Sequence, residues 1–489
     1  MKSERRIGLL PFYIALYDEL LPELRSAFDG FMADIVAGFE ARGIAVETVA
    51  PCCVASEFEA AVRQFEDSDA DSIVTLHLAY SPSLESIESM CSTELPIVIL
   101  DTTMDAAFGI DVDPGRLMYN HGIHGVMDFA SMLRRRERPY EIVAGHYRDP
   151  TVLDRAAALI PVSSGNGASL IGSNGGTAPT PSTFSAAADA PMRGNRILRI
   201  GDAFVGMGDF TVEPALLRDR FGVEVEQVGL DALDRAVDAV TDAEISAELA
   251  LDHERFDCEL DEAVHRQSVR VGLGLRALLD AGGYHGFSVN FQAFDQTDRA
   301  ADTMPFMEIS KAMTRGIGYA GEGDVLTAAL VGALSREFDA VTFTEIFCPD
   351  WSGNSLFLSH MGEISPAVAG DRPSVCAKPA FDGKSAMTAV LTCAVKPGPA
   401  VFVDLAPGPN DSFSLIIAPV DVLAEDDSLN PAMRDTIRAW IRPRCKVSDF
   451  LEAYSRAGGT HHSALVLGDH AEAVAAFGRK LGVEVISVP

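Results

Sequence analysis

Two glutamates and two histidines in the last third of the sequence could together hold a metal ion. Glu322, Glu345, His360 and His462 offer two carboxylates and two imidazoles. Mixed oxygen and nitrogen ligation with open coordination positions suits Mn²⁺ or a similar divalent cation, whereas a closed structural zinc site usually has thiolate ligands. The residue types therefore indicate a divalent-metal site that could hold a polyol.

The first carboxylate stands in a glycine-rich segment, Gly316-Ile-Gly-Tyr-Ala-Gly-Glu-Gly-Asp324, which precedes the apolar stretch Val325–Leu334. We predict a helix over that stretch and, before it, a loop that places Glu322 at or just before the helix start. A simpler interpretation is a helix cap in which Asp324 accepts hydrogen bonds from the first amides. A phosphate-binding loop fits less well, because the segment lacks the Lys-Ser/Thr ending and carries two acids that would repel phosphate.

The other three candidates lie at predicted strand ends. The strand that begins at Val341 ends with Glu345, His360 follows an apolar run, and His461 and His462 follow a Gly-Gly-Thr turn. Because side chains alternate across a strand, we expect only one of the paired histidines to face a given site. Alternatively, Glu345 is a solvated acid and His360 a hydrogen-bonded structural histidine, since spacing alone does not show that the four residues converge.

Apolar strand-like runs alternate with amphipathic helical stretches through the first two thirds of the chain, as in parallel α/β layers. We predict an N-terminal α/β domain over 1–162 and a Gly/Ser/Ala-rich linker or insertion over 163–194. A middle α/β domain over 195–335 would carry Glu322, and a C-terminal β-rich domain over 336–489 would carry the other candidate ligands. The predicted fold class is therefore α/β, with two doubly wound parallel-sheet (Rossmann-like) domains followed by a mostly β domain.

The composition excludes several classes of partner. The net charge of -32 would repel nucleic acid and anionic membrane surfaces, and no stretch is long and apolar enough to span a membrane. Eight cysteines without a C-x-x-C pair, and an N-terminus without signal-peptide features, predict a reducing, cytoplasmic location. The acidic composition fits either a halophilic organism or a high-GC genome that favours Arg over Lys.

The ordered set of motifs resembles the L-arabinose isomerase and L-fucose isomerase superfamily, most closely its arabinose isomerase branch. The family's G-Y-G-x-x-x-E-G-D, H-M-L-E-V-C-P and G-G-x-H-H-T segments are similar to residues 316–324, 360–366 and 458–463. The resemblance implies four metal ligands, of which the two glutamates are also catalytic: Glu322, Glu345, His360 and His462. It also implies four residues that contact the substrate: His124, Tyr80, Met361 and His461.

The same resemblance implies an isomerase of free sugars that needs Mn²⁺ or another divalent cation and no organic cofactor. The cation would polarise the carbonyl of an open-chain aldose while Glu322 and Glu345 move a proton between C1 and C2 through a cis-enediol. A homotrimer or homohexamer is expected, with Tyr80 and His124 closing over a neighbouring subunit's metal.

The sequence departs from the arabinose isomerases where the sugar would be chosen. Ile346-Phe-Cys-Pro-Asp350 replaces a tyrosine-containing segment, and Pro11–Asp18 lacks a glutamine that the family associates with sugar hydroxyls. The resemblance therefore does not extend to L-arabinose as the substrate. Two alternatives stay open, an isomerase or lyase of a different polyol and a non-catalytic sugar-binding relative.

Overall fold

The computed structural model describes residues 5–161, 190–294, 296, 298–380, 385–426 and 429–489. These residues form two parallel α/β units and a mostly β C-terminal part, which confirms the predicted fold class. Most of the predicted linker, 163–194, lies outside the described residues.

The N-terminal part is built on a parallel sheet of five strands in the order β2-β1-β3-β4-β5. Its elements are β1 (Arg5–Phe12), α1 (Ala15–Leu20), α2 (Asp29–Glu40), β2 (Ile44–Thr48), α3 (Ala55–Asp67), β3 (Ser72–His77), α4 (Ile87–Ser92), β4 (Ile97–Asp101), α5 (Ile123–Arg135), β5 (Glu141–Ala144) and α6 (Pro150–Leu159). β3 is buried along its whole length, as expected for a central strand with helices on both faces of the sheet. The loop after β3 carries Tyr80, at the edge where doubly wound folds bind ligands.

The middle part has a parallel sheet of four strands in the order β10-β9-β6-β7. Its elements are β6 (Arg196–Ile200), α7 (Pro214–Phe221), β7 (Glu224–Val228), α8 (Leu230–Asp238), α9 (Asp242–Arg255), β8 (Asp257–Cys258), α10 (Glu262–Gly282), β9 (Gly286–Val289), α11 (Phe306–Thr314), β10 (Gly318–Gly321) and α12 (Val325–Glu337). The first ten residues of α12 are all buried, because the helix contacts both the middle sheet and the C-terminal strands.

The C-terminal part contains a closed antiparallel barrel. Its elements are β11 (Val341–Asp350), β12 (Ser355–Ser359), β13 (Ser374–Lys378), β14 (Thr388–Thr392), β15 (Gly398–Pro407), β16 (Phe413–Val422), β17 (Ala439–Pro443), α13 (Val447–Ala457), β18 (His462–Leu467), α14 (Ala471–Leu481) and β19 (Glu484–Ser487). The strand order β15-β18-β11-β12-β17-β16 closes on itself through a β15–β16 pairing, and β19 extends the sheet beside β16. A smaller sheet joins β13 and β14 to β8 of the middle part.

The hydrophobic core runs across the three parts. One buried cluster joins Phe129 of the N-terminal part to Leu358 and Tyr454 of the C-terminal part, and a second joins the middle sheet to the barrel. The barrel is thus packed against both α/β units. Among the helices in the described ranges, none combines the length and apolarity needed to cross a membrane.

Candidate metal centre

The backbone of β10 packs directly against α12, the helix that follows it. A Cβ at Gly318 would lie 2.1 Å from both the Ala328 carbonyl oxygen and the Gly332 amide nitrogen of α12. Only glycine leaves room for so close an approach. The segment that we predicted as a loop before Glu322 is therefore partly wrong: it contains a short buried strand, because glycine here allows close packing as well as chain reversal.

Glu322 joins β10 to α12 in a left-handed backbone conformation, with a φ of 63°. For a residue with a side chain this conformation costs on the order of 1 kcal/mol, so its neighbours must hold it in place. The Glu322 amide donates to the Val289 carbonyl at 3.1 Å, and its carbonyl accepts from the Phe204 amide at 2.8 Å. Asp324 caps α12 by accepting a hydrogen bond from the Thr327 amide at 2.8 Å. The capping interpretation and the placement of Glu322 are therefore both correct.

Glu345 lies in the middle of β11, which is a ten-residue strand. The prediction that this residue ends its strand is wrong, because Ile346–Asp350 continues the pairing with β12. The register places Glu345 opposite His462 of β18 on one side and Ser359 of β12, which precedes His360, on the other. Strand pairing therefore brings three of the four predicted ligands together.

His461 and His462 both turn towards Glu322. The Nε2 atoms of His461 and His462 lie 3.8 Å and 3.2 Å from Glu322 Oε2. The expectation that only one of them could face the site is wrong, because β18 begins at His462 and His461 precedes the alternation. The Phe210 ring stacks on the His462 ring with 4.9 Å between centroids.

Each of the three imidazoles has a buried carboxylate beside its Nδ1 atom. The pairs and their separations are His461 with Asp209 at 2.7 Å, His462 with Asp324 at 2.9 Å, and His360 with Glu363 at 2.9 Å. A carboxylate at Nδ1 fixes the orientation of the ring and directs Nε2 to the opposite side, which is the usual support of metal-binding histidines. All three Nε2 atoms are directed at the two central glutamates.

The donor atoms converge on one point of the barrel rim. One donor atom from each of Glu322, Glu345, His461 and His462 lies within 4.8 Å of every other. His360 Nε2 lies 3.2 Å from Glu345 Oε1, and His462 Nε2 lies 2.8 Å from the same oxygen. Within the described residues, the buried Nε2 atoms of His461 and His462 make no well-directed hydrogen bond. These oxygen and nitrogen donors fit a divalent cation. The group whose donor atoms lie within 4.8 Å contains His461, whereas we predicted His360 as the fourth ligand.

The electrostatics of the centre keep both glutamates ionised. Burial alone would raise the pKa of Glu322, but the adjacent His461 and His462 imidazoles hold it at about 2. Burial would also raise the pKa of Glu345, but the His360 and His462 imidazoles outweigh it and hold that pKa well below its ordinary value. Two buried carboxylates side by side repel each other, so they need a positive charge between them.

Tyr80 and His124 reach the centre from the N-terminal part of the same chain. His124 Nε2 lies 3.4 Å from Glu345 Oε2, and the Tyr80 ring lies 5.4 Å from the His461 ring. Burial lowers the pKa of His124 to about 3, so its ring is neutral. α5 packs against the barrel of its own chain, so both residues lie at the centre of that chain. The expectation that they close over a neighbouring subunit's metal stays a prediction.

A cavity of about 350 Å³ opens beside the centre. It is lined by all four predicted substrate-contacting residues, namely Tyr80, His124, Met361 and His461. Met361 is the most exposed of the four, at 42%. The cavity is therefore continuous with both the candidate ligands and the residues expected to contact a substrate.

Tyr17 and His121 are among the cavity residues that sequence reasoning missed. His121 Nδ1 lies 3.0 Å from the Leu117 carbonyl oxygen, so it donates there, and Nε2 accepts from the Tyr17 hydroxyl at 3.0 Å. His121 stands three residues before His124, which was predicted to contact the substrate, and Tyr17 lies in the segment Pro11–Asp18 that departs from the family pattern. Attention to every polar side chain in those two segments would have found them.

Two family models match the chain. The L-arabinose isomerase central domain matches residues 197–337, and the L-arabinose isomerase C-terminal domain matches residues 340–484. The chain belongs to the L-arabinose isomerase family. The first match contains Glu322 and the second contains Glu345, His360 and His462, whereas Tyr80 and His124 lie outside both.

Curated members of the family align along most of their length. The L-arabinose isomerase of Herpetosiphon aurantiacus is 26% identical over 423 residues, covering 84% of this chain and 78% of its own. That of Nocardioides sp. is 27% identical over 442 residues, covering 86% of this chain and 81% of its own. Among solved structures, a galactofuranose binding protein covers 68% of this chain and 88% of its own at 10% identity, but its TM-score of 0.17 supports no argument.

Proposed function

We propose that this protein is an aldose–ketose isomerase that acts on a free sugar with the help of a divalent cation. The observation that carries the proposal is the convergence of two ionised carboxylates and three imidazoles beside a cavity of about 350 Å³. Family membership supports the reaction class, because the curated relatives are named L-arabinose isomerases. Mn²⁺ is the proposed cation, since mixed carboxylate and imidazole ligation suits it.

Glu322, Glu345 and His462 would hold the cation together with His360 or His461. Bound there, a divalent cation would polarise the substrate carbonyl as a Lewis acid. The protein keeps the imidazoles in place through the carboxylates beside their Nδ1 atoms.

Glu322 and Glu345 are the proposed proton carriers. Because both are ionised, one can take the proton from C2 of the open-chain aldose and pass it to O1, which gives the cis-enediol. The other can take the proton from O2 and pass it to C1, which gives the ketose and leaves both carboxylates ionised. General acid–base catalysis of this kind typically contributes about 10²- to 10⁴-fold in rate. The neutral His124 beside Glu345 would hydrogen-bond a substrate hydroxyl.

The proposed substrate is a free aldose other than L-arabinose. Ile14 and Phe347, which lie in the two segments that depart from the family pattern, both line the cavity. The Phe347 ring packs edge-on against His124 with 4.7 Å between centroids. Neither side chain can hydrogen-bond a hydroxyl. This wall therefore discriminates between sugars without the hydrogen bonds that a glutamine or tyrosine would make to their hydroxyls.

A panel of free pentoses, hexoses and deoxyhexoses with added Mn²⁺, scored for aldose–ketose interconversion, tests the proposal. Glu322→Gln removes the ionisable group with little change of shape, and we expect kcat to fall by at least about 10²-fold. The matched control is Glu337→Gln at the exposed end of α12, which should leave kcat unchanged. Circular dichroism checks that both variants are folded.

Three results would count against parts of the proposal. Undiminished turnover in Glu322→Gln would remove this residue from proton transfer. A wild-type protein that binds a sugar from the panel but interconverts none would indicate the non-catalytic relative. The homotrimer or homohexamer is also a proposal, resting on the family resemblance, and a monomer in sedimentation velocity would contradict it.

A further inference from the structure

The cavity wall beside β13 and β14 combines threonine hydroxyls with one ammonium group. Lys378, the last residue of β13, lines the cavity together with Thr303, Thr388 and Thr436. The three hydroxyls donate to backbone carbonyl oxygens of the protein, at 3.3, 2.7 and 2.7 Å respectively. Their hydrogens are therefore used within the fold and do not serve a ligand.

The Lys378 ammonium group differs from these hydroxyls. Within the described residues it makes no hydrogen bond or ion pair, although burial lowers its pKa. The carboxylates that act on its charge are Asp435 and Glu363. Glu363 Oε1 lies 2.9 Å from His360 Nδ1, and its Oε2 accepts a hydrogen bond from the Gly362 amide at 2.7 Å. The donors of Lys378 are therefore available to a molecule in the cavity.

An ammonium group that is partly removed from water without a partner is unfavourable, and an oxygen from a ligand would offset that cost. Lysine has three donors and no acceptor, so the partner must be a hydrogen-bond acceptor. Lys378 stands on β13 of the small sheet, whereas Glu322 follows β10 and Glu345 lies in β11, so the ammonium comes from a different wall of the cavity than the two glutamates.

We propose that Lys378 binds an oxygen at the end of the sugar chain remote from C1 and C2. The inference rests on the proposed function and deepens it by naming the terminal group that the substrate must carry. A terminal hydroxyl and a terminal carboxylate share this acceptor chemistry, whereas a terminal methyl lacks it. The protein should therefore discriminate against terminal-deoxy sugars even though much of its cavity wall is apolar.

Three aldoses that differ only at the terminal carbon test the proposal, carrying CH₂OH, COO⁻ or CH₃ in the configuration that the panel identifies. In Lys378→Met we expect KM for the preferred oxygen-bearing sugar to rise about 10- to 100-fold, the effect of losing one charged hydrogen bond. KM for the methyl sugar should change less than threefold, and kcat should stay within threefold for all sugars. Lys378→Arg, which keeps a charged donor, should lie between wild type and Lys378→Met.

Lys396→Met, at an exposed lysine of the same region, is the matched control and should behave as wild type. A greater KM effect on the COO⁻ sugar than on the CH₂OH sugar would identify the carboxylate as the natural terminal group. Equal KM changes for all three sugars, no change for any, or a loss confined to kcat would overturn the proposal. If wild type turns over no sugar, the proposed function fails, and calorimetric binding of the same three sugars to wild type and Lys378→Met still decides the role of Lys378.

Discussion

The carboxylate of Asp209 orients one of the imidazoles of the centre. Its carboxylate accepts hydrogen bonds from the His461 backbone amide at 2.8 Å and from His461 Nδ1 at 2.7 Å. Because the Nδ1 hydrogen is directed at Asp209, Nε2 faces the centre, where it would present its lone pair to a cation. Glu363 Oε1 lies 2.9 Å from His360 Nδ1. Replacing each of the two carboxylates in turn therefore tests whether His461 or His360 completes the ligand set.

We predict that Asp209→Asn weakens Mn²⁺ binding by about 10- to 100-fold, because the amide is a poorer partner for the His461 ring. Isothermal titration calorimetry of the folded variant measures the change. Asp421→Asn, at an exposed aspartate, should bind as wild type. Glu363→Gln tests His360 in the same way, and the variant with the greater loss identifies the ligand. Unchanged affinity in Asp209→Asn would exclude His461 from the ligand set.

The position of Glu322 in the centre depends on how closely β10 packs on α12. These two elements carry Glu322 at their junction, and Gly318 allows the strand to touch the helix backbone. A shift of β10 would move Glu322 away from His462, whose position is set separately by β11 and β18.

Gly318→Ala should therefore reduce both stability and metal binding. The new Cβ would meet backbone atoms 2.1 Å away, and overpacking of this kind costs about 1–3 kcal/mol. The midpoint of urea denaturation and the Mn²⁺ affinity measure the two effects. Gly30→Ala is the control, because a Cβ there meets nothing within 4 Å on α2 and alanine favours the helix. A Gly318→Ala protein with wild-type stability would show that β10 and α12 are not in such close contact.

The whole molecule is held together partly by the contact between the N-terminal sheet and α13 of the C-terminal part. Glu452 of α13 accepts a hydrogen bond from the Ala144 backbone amide at 3.0 Å and forms ion pairs with Arg155 and Arg456. Asp101, at the end of β4, is 1% exposed in the same region. Burial, and then the charge of Glu452, raise the pKa of Asp101 to about 8.

This carboxyl should make the stability of the protein depend on pH. The folded state holds a proton that the unfolded state, with a pKa near 3.9, has already released. The protonated Asp101 carboxyl therefore makes its full contribution to the free energy of unfolding below about pH 4. As the pH rises from about 4 to about 8, that contribution is lost at up to about 1.4 kcal/mol per pH unit. Urea denaturation at pH 5, 6, 7 and 8 should show this loss in wild type and not in Asp101→Asn. Parallel pH dependence in the two proteins would contradict the assignment.

Much of the fold could be predicted from local pattern. The regular apolar periodicity of 471–481 predicts a helix and that of 462–467 a strand, and α14 (Ala471–Leu481) and β18 (His462–Leu467) have those bounds. The sequence pattern does not predict β7, because it is a mostly exposed strand with alternating acidic residues. The identities of Glu322, Glu345, His360 and His462 were also accessible, since they stand in short motifs whose order matches one family.

Other features depended on contacts between residues far apart in the chain. Asp209 lies 252 residues from His461, and Asp324 lies 138 residues from His462, so no local spacing could pair them. The pairing of Glu345 with His462 follows from the register of β11 and β18, and the approach of His124 follows from the packing of α5 on the barrel. Motif order was therefore sufficient to name the central side chains. Strand register and packing between the three parts decided which of them meet, because side-chain convergence is a property of the folded backbone.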